Sequence, residues 1–309
     1  KVAKVQEKDA PRHPAPPFTT STLQQEGWRK LRFTGQRTMA IAQQLYEGLT
    51  VGREGSVGLI TYMRTDSVRV ATPAVDETRS FVGAKFGTEY VPASPRVFAR
   101  KQKGAQEAHE AIRPTSVHRE PASLKSHLTA DQLKLYELIW NRMVASQMAS
   151  AVIKSTSVDV TAKGKTRDLL LRATASEIKF QGFLVLYEEG RDEDEARSRA
   201  LPALKAGQVL DLKGLFPDQH FTQPPPRYTE ATLVKALEEN GIGRPSTYAP
   251  IIGILILRRY VTKDRGHFQP TEIGMTVSDL LTEHFKDIVD VGFTAQMEEG
   301  LDEVARGKG

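Results

Sequence analysis

Three consecutive prolines, Pro224, Pro225 and Pro226, divide this chain more sharply than any other feature. Proline lacks a backbone N–H and holds φ near −65°, so neither a helix interior nor a central strand runs through such a triplet. The 309 residues are therefore expected to fold as separate units on either side of it, and length alone suggests two or three domains. Upstream, the apolar pattern changes once more. Residues 20–148 carry helical periodicity, whereas 150–220 read as strands separated by glycine and charged turns.

Within the helical part, Gln36 to Tyr46 sets Met39, Ala42 and Tyr46 on one face, expected to point inward. Gly58–Met63 is a short apolar run that fits a buried strand. Thr72-Pro73 predicts a helix start, with Asp76 and Glu77 near the positive end of its dipole and Val75, Val82 and Phe86 facing inward. Thr129 and Gln132 have capping-box spacing, and Leu133, Tyr136, Trp140, Met143 and Val144 form the core face of the helix that follows. The lysine- and proline-rich residues 1–17 predict an extended lead-in or edge strand. In the β-rich part the expected strands are 157–161, 168–173, 178–187 and 208–213, with Glu188–Glu195 an exposed acidic loop.

After the prolines, Thr229 is expected to cap a helix through Glu239. Gly241-Ile242-Gly243 turns into a second helix, capped by Ser246 and reaching about Arg258. Residues 259–270 predict a hairpin turning at Gly266, and another helix starts near Thr271. Helix, glycine turn, helix and hairpin is the order of a winged helix-turn-helix.

Charge narrows the partner. The net charge of +5 is modest for this length, but its distribution is uneven. Arg29, Lys30, Arg32 and Arg37 alternate with Trp28 and Phe33; a second basic group lies in 96–119, and a third comprises Arg258, Arg259, Lys263 and Arg265. Cations interleaved with aromatics suit single-stranded nucleic acid, whose phosphates need charge and whose bases need stacking faces. Cysteine is absent, which excludes disulfides, thiolate catalysis and a Cys-ligated zinc site in this segment and fits a cytoplasmic protein. No apolar run approaches the roughly 18 residues of a membrane span.

Three segments carry chemistry. In Gly58–Ser67, an extended backbone puts Tyr62, Arg64 and Asp66 on one side. A phenol is a weak nucleophile at neutral pH. A guanidinium beside it favours the phenolate and can neutralise a phosphate under attack. Spacing alone equally allows a strand-end tyrosine beside a surface Arg–Asp pair. In Ala105–Pro114, a helix would set His109 and Arg113 four apart on one face, either to meet phosphate or to balance the dipole. Adjacent His and Glu have poor spacing for shared ligation, so no metal site is expected here. In Gly241–Tyr248, glycines, Arg244, Ser246 and Thr247 at a helix start offer an anion site or a plain N-cap.

Taken together, PFTTSTLQQEGWRKLRFT (17–34), ITYMRTDS (60–67), AQEAHEAIRPT (105–115), RYTEATLVKALEENGIGRPSTYAPII (227–252) and FTAQMEEGLDEVA (293–305) resemble bacterial type IA DNA topoisomerases, in that family's order and over nearly the whole chain. The resemblance implies a multidomain α+β fold. It assigns a discontinuous β-rich hinge domain to 1–21 and 149–220, a helical tyrosine-bearing domain to 22–148, and part of a winged-helix-like base domain to 221–309. It implies that Tyr62 attacks a backbone phosphate to form a 5′-phosphotyrosine, with Arg64 holding that phosphate and His109 assisting. Arg113, Arg244, Ser246, Thr247 and Arg258 would contact DNA, although ILILRRYV (254–261) departs from the family pattern and leaves Arg258 and Arg259 as alternatives.

The implied activity is ATP-independent relaxation of negatively supercoiled DNA by a monomeric, nucleoid-associated bacterial enzyme acting on single strands. No nucleotide cofactor is implied. Magnesium would bind in a toprim domain that has no counterpart in these residues, so the chain is expected to be a fragment that binds single-stranded DNA without completing relaxation. The alternative is a non-catalytic winged-helix DNA-binding module, which accounts for 229–270 but leaves the tyrosine segment unexplained.

Overall fold

The computed structural model describes residues 1–98, 109–190, 192, 201–305 and 307. The mixed helix and sheet architecture runs β1 (Val2–Arg12), α1 (Thr20–Leu31), α2 (Gly35–Glu47), β2 (Leu49–Thr50), β3 (Ser56–Val57), α3 (Thr72–Phe86), α4 (Ala130–Ser146), β4 (Ala151–Lys163) and β5 (Asp168–Phe180). Beyond the prolines come α5 (Glu230–Glu239), α6 (Tyr248–Leu257), β6 (Val261–Asp264), β7 (His267–Pro270), α7 (Glu272–His284), α8 (Lys286–Val289) and α9 (Val291–Ala305).

The N-terminal lead-in is an edge strand. β1 and β5 flank β4 in an antiparallel sheet, with Arg12 opposite Ala151 and Val158 opposite both Val5 and Ala173. All the helices from α1 to α4 thus lie in sequence between two strands that are neighbours in space. The expected strand at 178–187 ends at Phe180 and becomes a 3₁₀ turn at Gly182–Val185, where Gly182 has φ +50° and its Cα faces the Ala149 and Ser150 backbone too closely for a Cβ. Residues 208–213 do not form a strand; Gln208 accepts the Val2 N–H at its carbonyl and closes a turn with Lys205.

The main core lies among the helices, with Phe18, Leu23, Leu45, Leu59, Ile60, Leu135, Ile139 and Trp140 all buried. The capping box at Thr129 and Gln132 opens α4 as expected, and Tyr136, Trp140, Met143 and Val144 are buried. In α3, Val75 and Val82 are buried together with Thr78 and Phe81. In α2 the inward face is Thr38, Ile41, Ala42 and Leu45; Tyr46, expected inside, is 40% exposed.

The described residues of the acidic loop are anchored. Glu26, 2% exposed, accepts hydrogen bonds from the Tyr187 hydroxyl at 2.7 Å and the Gly190 N–H at 2.9 Å. Asp192 takes a two-pronged contact from Arg29, and Glu189 pairs with the buried Arg142. Burial raises the pKa of the Tyr187 phenol, with Glu26 adding to the effect. Two cations of the first basic group are thereby engaged: Arg29 holds Asp192 and Glu26, and Lys30 donates to the Glu188 carbonyl. Residues 191 and 193–195 of the acidic loop lie outside the described residues, as do residues 99–108 of the second basic group.

A smaller core of Val234, Tyr248, Ile252 and Phe268 holds the segment after the prolines together. The helix, glycine turn, helix and hairpin order is observed here. The second helix, however, is preceded by Thr247 rather than capped by Ser246. This segment docks on α1 and α2: Glu230 accepts from the Gly35 N–H at 2.7 Å and pairs with Lys263, and Ser21 donates to Glu238 at 2.7 Å. Among the described residues, no helix is long and apolar enough to cross a membrane.

Candidate active site

The segment around Tyr62 is not a regular strand and bends at Thr61, Met63 and Arg64. Among the described residues its one ladder contact is an isolated bridge from Ile60 to Pro114. Two other segments clamp it. On one side, Thr61 N–H donates to the Arg113 carbonyl at 2.9 Å and Thr61 Oγ1 to the Ala111 carbonyl at 2.7 Å. On the other, the buried Thr20 at the start of α1 donates its N–H to the Thr65 carbonyl and its hydroxyl to the Met63 carbonyl, while its Oγ1 accepts the Thr65 N–H. The clamp preserves the alternation expected of extended backbone. Met63, Thr65 and Ser67 are buried, whereas Tyr62 and Arg64 are exposed and Asp66 is half-buried.

Tyr62, 41% exposed, lines a cleft of about 560 Å³ together with Arg64, Thr65, Asp66 and His109. Among the described residues, neither Arg64 nor Asp66 has an ion-pair or hydrogen-bond partner, so the plain alternative of a surface Arg64–Asp66 pair does not form. The His109 ring lies 6.0 Å from the Tyr62 ring between centroids. His109 is not on a helix: residues 109–114 are extended, with Ile112 bridged to Phe18, and residues 105–108 of the expected helix lie outside the described residues. Four residues of extended backbone span about 13 Å, so Arg113 is no longer a neighbour of His109. It is bound to Glu110 at 2.7 Å and to the Pro114 carbonyl at 3.0 Å, and it does not line the cleft.

The opposite wall is the turn between α5 and α6. Gly241 and Gly243 have φ of +72° and +78°, a conformation that carries a steric penalty for any residue with a Cβ. The turn brings Arg244, Pro245 and Ser246 to face Tyr62. Thr247 stays outside the lining, where its Oγ1 accepts the Arg244 N–H at 2.8 Å. Arg258 and Arg259 are exposed at the far end of α6 and also lie outside the cleft.

The third wall is α9, whose contribution the sequence reading missed. Asp302 receives Arg244 Nε at 3.1 Å and Nη2 at 2.8 Å; Glu298 lies 3.7 Å from Nη1 and accepts the Gly243 N–H at 3.1 Å. Burial is the largest single influence on the Arg244 pKa and lowers it, but Asp302 and Glu298 together outweigh it and the pKa is raised. The spacing of Ala295, Glu298, Glu299 and Asp302 puts them on one helical face, and that pattern was available in the sequence. Carboxylates Asp66, Glu238, Glu299 and Asp302 line the cleft against guanidiniums Arg64 and Arg244, so acids outnumber arginines.

Chemically, the arrangement presents an accessible phenol, an imidazole and a guanidinium without a partner among the described residues on one wall, with a second guanidinium, held by Asp302, on the other. It suits attack on a phosphodiester of a chain threaded between the walls. Among the described residues no cluster of three or more His, Asp or Glu side chains could hold a metal ion.

Comparison with known proteins gives a consistent result. The family model described as DNA topoisomerase matches residues 1–309. The chain is 52% identical to DNA topoisomerase 1 of Xylella fastidiosa and 49% identical to DNA topoisomerase 1 of Rickettsia bellii, in each case over 99% of its length. It spans 38% of the length of those relatives. Its fold is similar to full-length topoisomerase I from Thermotoga maritima, with TM-score 0.79 and 38% identity, covering 99% of this chain and 49% of that one.

Proposed function

Because this chain belongs to the DNA topoisomerase family, we propose that it is the strand-cleaving part of a type IA enzyme, with Tyr62 as the nucleophile. The observation that carries this reading is the exposed Tyr62 sharing one cleft with Arg64, which has no partner among the described residues, and facing the Gly241–Ser246 turn.

A single DNA strand lies between the two walls. The Tyr62 oxygen forms a bond to phosphorus in line with the P–O3′ bond, which breaks. The phenol proton leaves, the 3′ oxygen gains a proton, and the 5′ end stays on the tyrosine. Each step exchanges one phosphodiester for another, so no nucleotide is consumed. Arg64 neutralises the phosphate oxygens as charge develops, and His109, whose ring centroid lies 6.0 Å from that of Tyr62, handles the proton. Arg244 and Ser246 hold the neighbouring strand. For Arg244, phosphate competes with Asp302 and Glu298. Thr247 supports the turn through Arg244, while Arg113 and Arg258 would meet DNA only outside the cleft.

The pairing of β1 with β4 on either side of the helices supports a discontinuous hinge domain over 1–21 and 149–220 around a helical domain over 22–148. The element order after the prolines supports a winged-helix character for 221–309. The acids lining this cleft do not fit a magnesium cage, since Asp302 is committed to Arg244. We therefore assign the family's magnesium to another part of the whole protein and route no step through it. Relaxation of negatively supercoiled DNA belongs to that whole protein, of which this chain supplies the nucleophile and part of the single-strand path.

The test is Tyr62→Phe in the whole protein, incubated with labelled single-stranded DNA and quenched with denaturant. The expected result is loss of the covalent adduct with DNA affinity retained; an adduct that persists refutes the assignment. The element order of 229–270 favours one other reading, a non-catalytic duplex-binding module. Preference for duplex over single strand, with no adduct from the parent protein, would select it.

A further inference from the structure

Tyr46 stands out because nothing in the core accounts for it. It is the last aromatic of α2, yet it leaves the buried face of that helix and stays 40% exposed, and its hydroxyl makes no hydrogen bond among the described residues. Its ring meets that of Tyr62, with centroids 5.4 Å apart and planes at 68°, an edge-on geometry. His109 approaches the Tyr62 ring as well, at 6.0 Å and 58°. The backbone fixes this relationship. Leu59 N–H donates to the Leu45 carbonyl at 2.7 Å, and a Cβ on Gly58 would come within 2.8 Å of the Tyr46 carbonyl oxygen. The β2–β3 pairing of Leu49 with Val57 closes the loop between them. The end of α2 and the tyrosine segment are thus tied together through their backbones.

We propose that Tyr46 is a positioning residue for the nucleophile, its ring restricting the Tyr62 ring to the rotamer that presents the phenol oxygen to the cleft. This rests on the assignment of Tyr62 as nucleophile. A half-exposed aromatic side chain otherwise samples several staggered rotamers, and in-line attack uses only those that align oxygen with phosphorus. Edge-to-face aromatic contacts are strong enough to bias such a choice severalfold. Tyr46 does not itself line the cleft, so it acts through Tyr62 rather than on the strand. Because its hydroxyl is unused, the ring carries the effect and phenylalanine should replace it.

Two measurements test this. In the 309-residue chain, with tyrosine ring carbons labelled, the Tyr62 ring signals are compared for the parent, Tyr46→Phe and Tyr46→Leu. The expected result is that Phe preserves their ring-current shift and Leu removes it. Signals unmoved by Leu overturn the contact. In the whole protein, single-turnover cleavage of a single-stranded oligonucleotide should slow about tenfold in Tyr46→Leu and less than about twofold in Tyr46→Phe, as expected for loss and retention of one aromatic contact. Single-strand affinity should match the parent in both. Parental cleavage by Tyr46→Leu, equal slowing by both variants, or a parallel loss of binding refutes the positioning role. Failure of the nucleophile assignment has a different signature: Tyr62→Phe would still form the adduct, while the ring signals would report the contact unchanged.

Discussion

Replacing Asp302 with Asn should make this chain bind single-stranded DNA more tightly. Arg244 spends its Nε and Nη2 donors on Asp302 at 2.8–3.3 Å, and the Gly243 N–H is taken by Glu298. A phosphate entering the turn must displace at least the Asp302 contact. Arg244 and Asp302 are 30% and 31% accessible, so solvent screens the pair and the competition is modest. Screened pairs are worth up to about 1 kcal/mol, with bidentate geometry at the upper end. That corresponds to about a fivefold gain in affinity, since a tenfold change needs about 1.4 kcal/mol. Asparagine keeps the size of the side chain and removes its charge. Fluorescence anisotropy with a short oligothymidylate between about 50 and 200 mM salt reads both consequences. The dissociation constant should fall about fivefold, and the slope of log affinity against log salt should steepen by about 0.7 if one more phosphate is neutralised. Weaker binding would refute the reasoning, because it would mean that Asp302 aligns Arg244 for the strand instead of competing with it. An unchanged affinity would mean that Asp302 does not compete with phosphate for Arg244.

Two further outcomes concern stability. Glu26→Ala should lower it by about 2–4 kcal/mol, because the Tyr187 hydroxyl and Gly190 N–H lose a buried acceptor; an unchanged urea midpoint would show that this anchor is not structural. Burial raises the pKa of both Tyr136 and Tyr187. The folded chain therefore holds protons that the unfolded chain releases above about pH 10. Their contribution is complete below that pH and is lost as pH rises toward the folded values. Tm should fall between about pH 9.5 and 11, less steeply in Tyr187→Phe, and a flat Tm across that range would contradict the burial effect.

Local signals in the sequence were read correctly where the deciding interaction is itself local. Thr129 with Gln132, Thr72-Pro73 and Thr229 mark helix starts that the structure reproduces within a residue or two, because a cap involves only neighbours along the chain. The shared side of Tyr62, Arg64 and Asp66 was legible for the same reason, since alternation is a property of any extended backbone. Errors arose where distant contacts decide. Residues 109–113 have helical spacing, yet Phe18 and Thr61 pair with this segment and draw it out, which separates His109 from Arg113. Tyr46 fits the apolar period of α2, and periodicity does not distinguish a core ring from one held against another ring. Ser246 and Thr247 are both good capping residues, and only the turn geometry chooses between them. That the Gly241–Ser246 turn and α9 close one cleft with Tyr62 was not legible, because it depends on α5 and α6 docking against α1 and α2 and on α9 reaching Arg244.

The central claim is that one phenol oxygen takes the DNA. The most direct measurement is mass spectrometry of the whole protein trapped on single-stranded DNA, digested with nuclease and then with trypsin. Cleavage after Arg53 and Arg64 isolates Glu54–Arg64, in which Tyr62 is the only tyrosine. The account predicts a residual nucleotide phosphate on that peptide, located at Tyr62. A nucleotide on the preceding peptide, which carries Tyr46, or on any other side chain would contradict it.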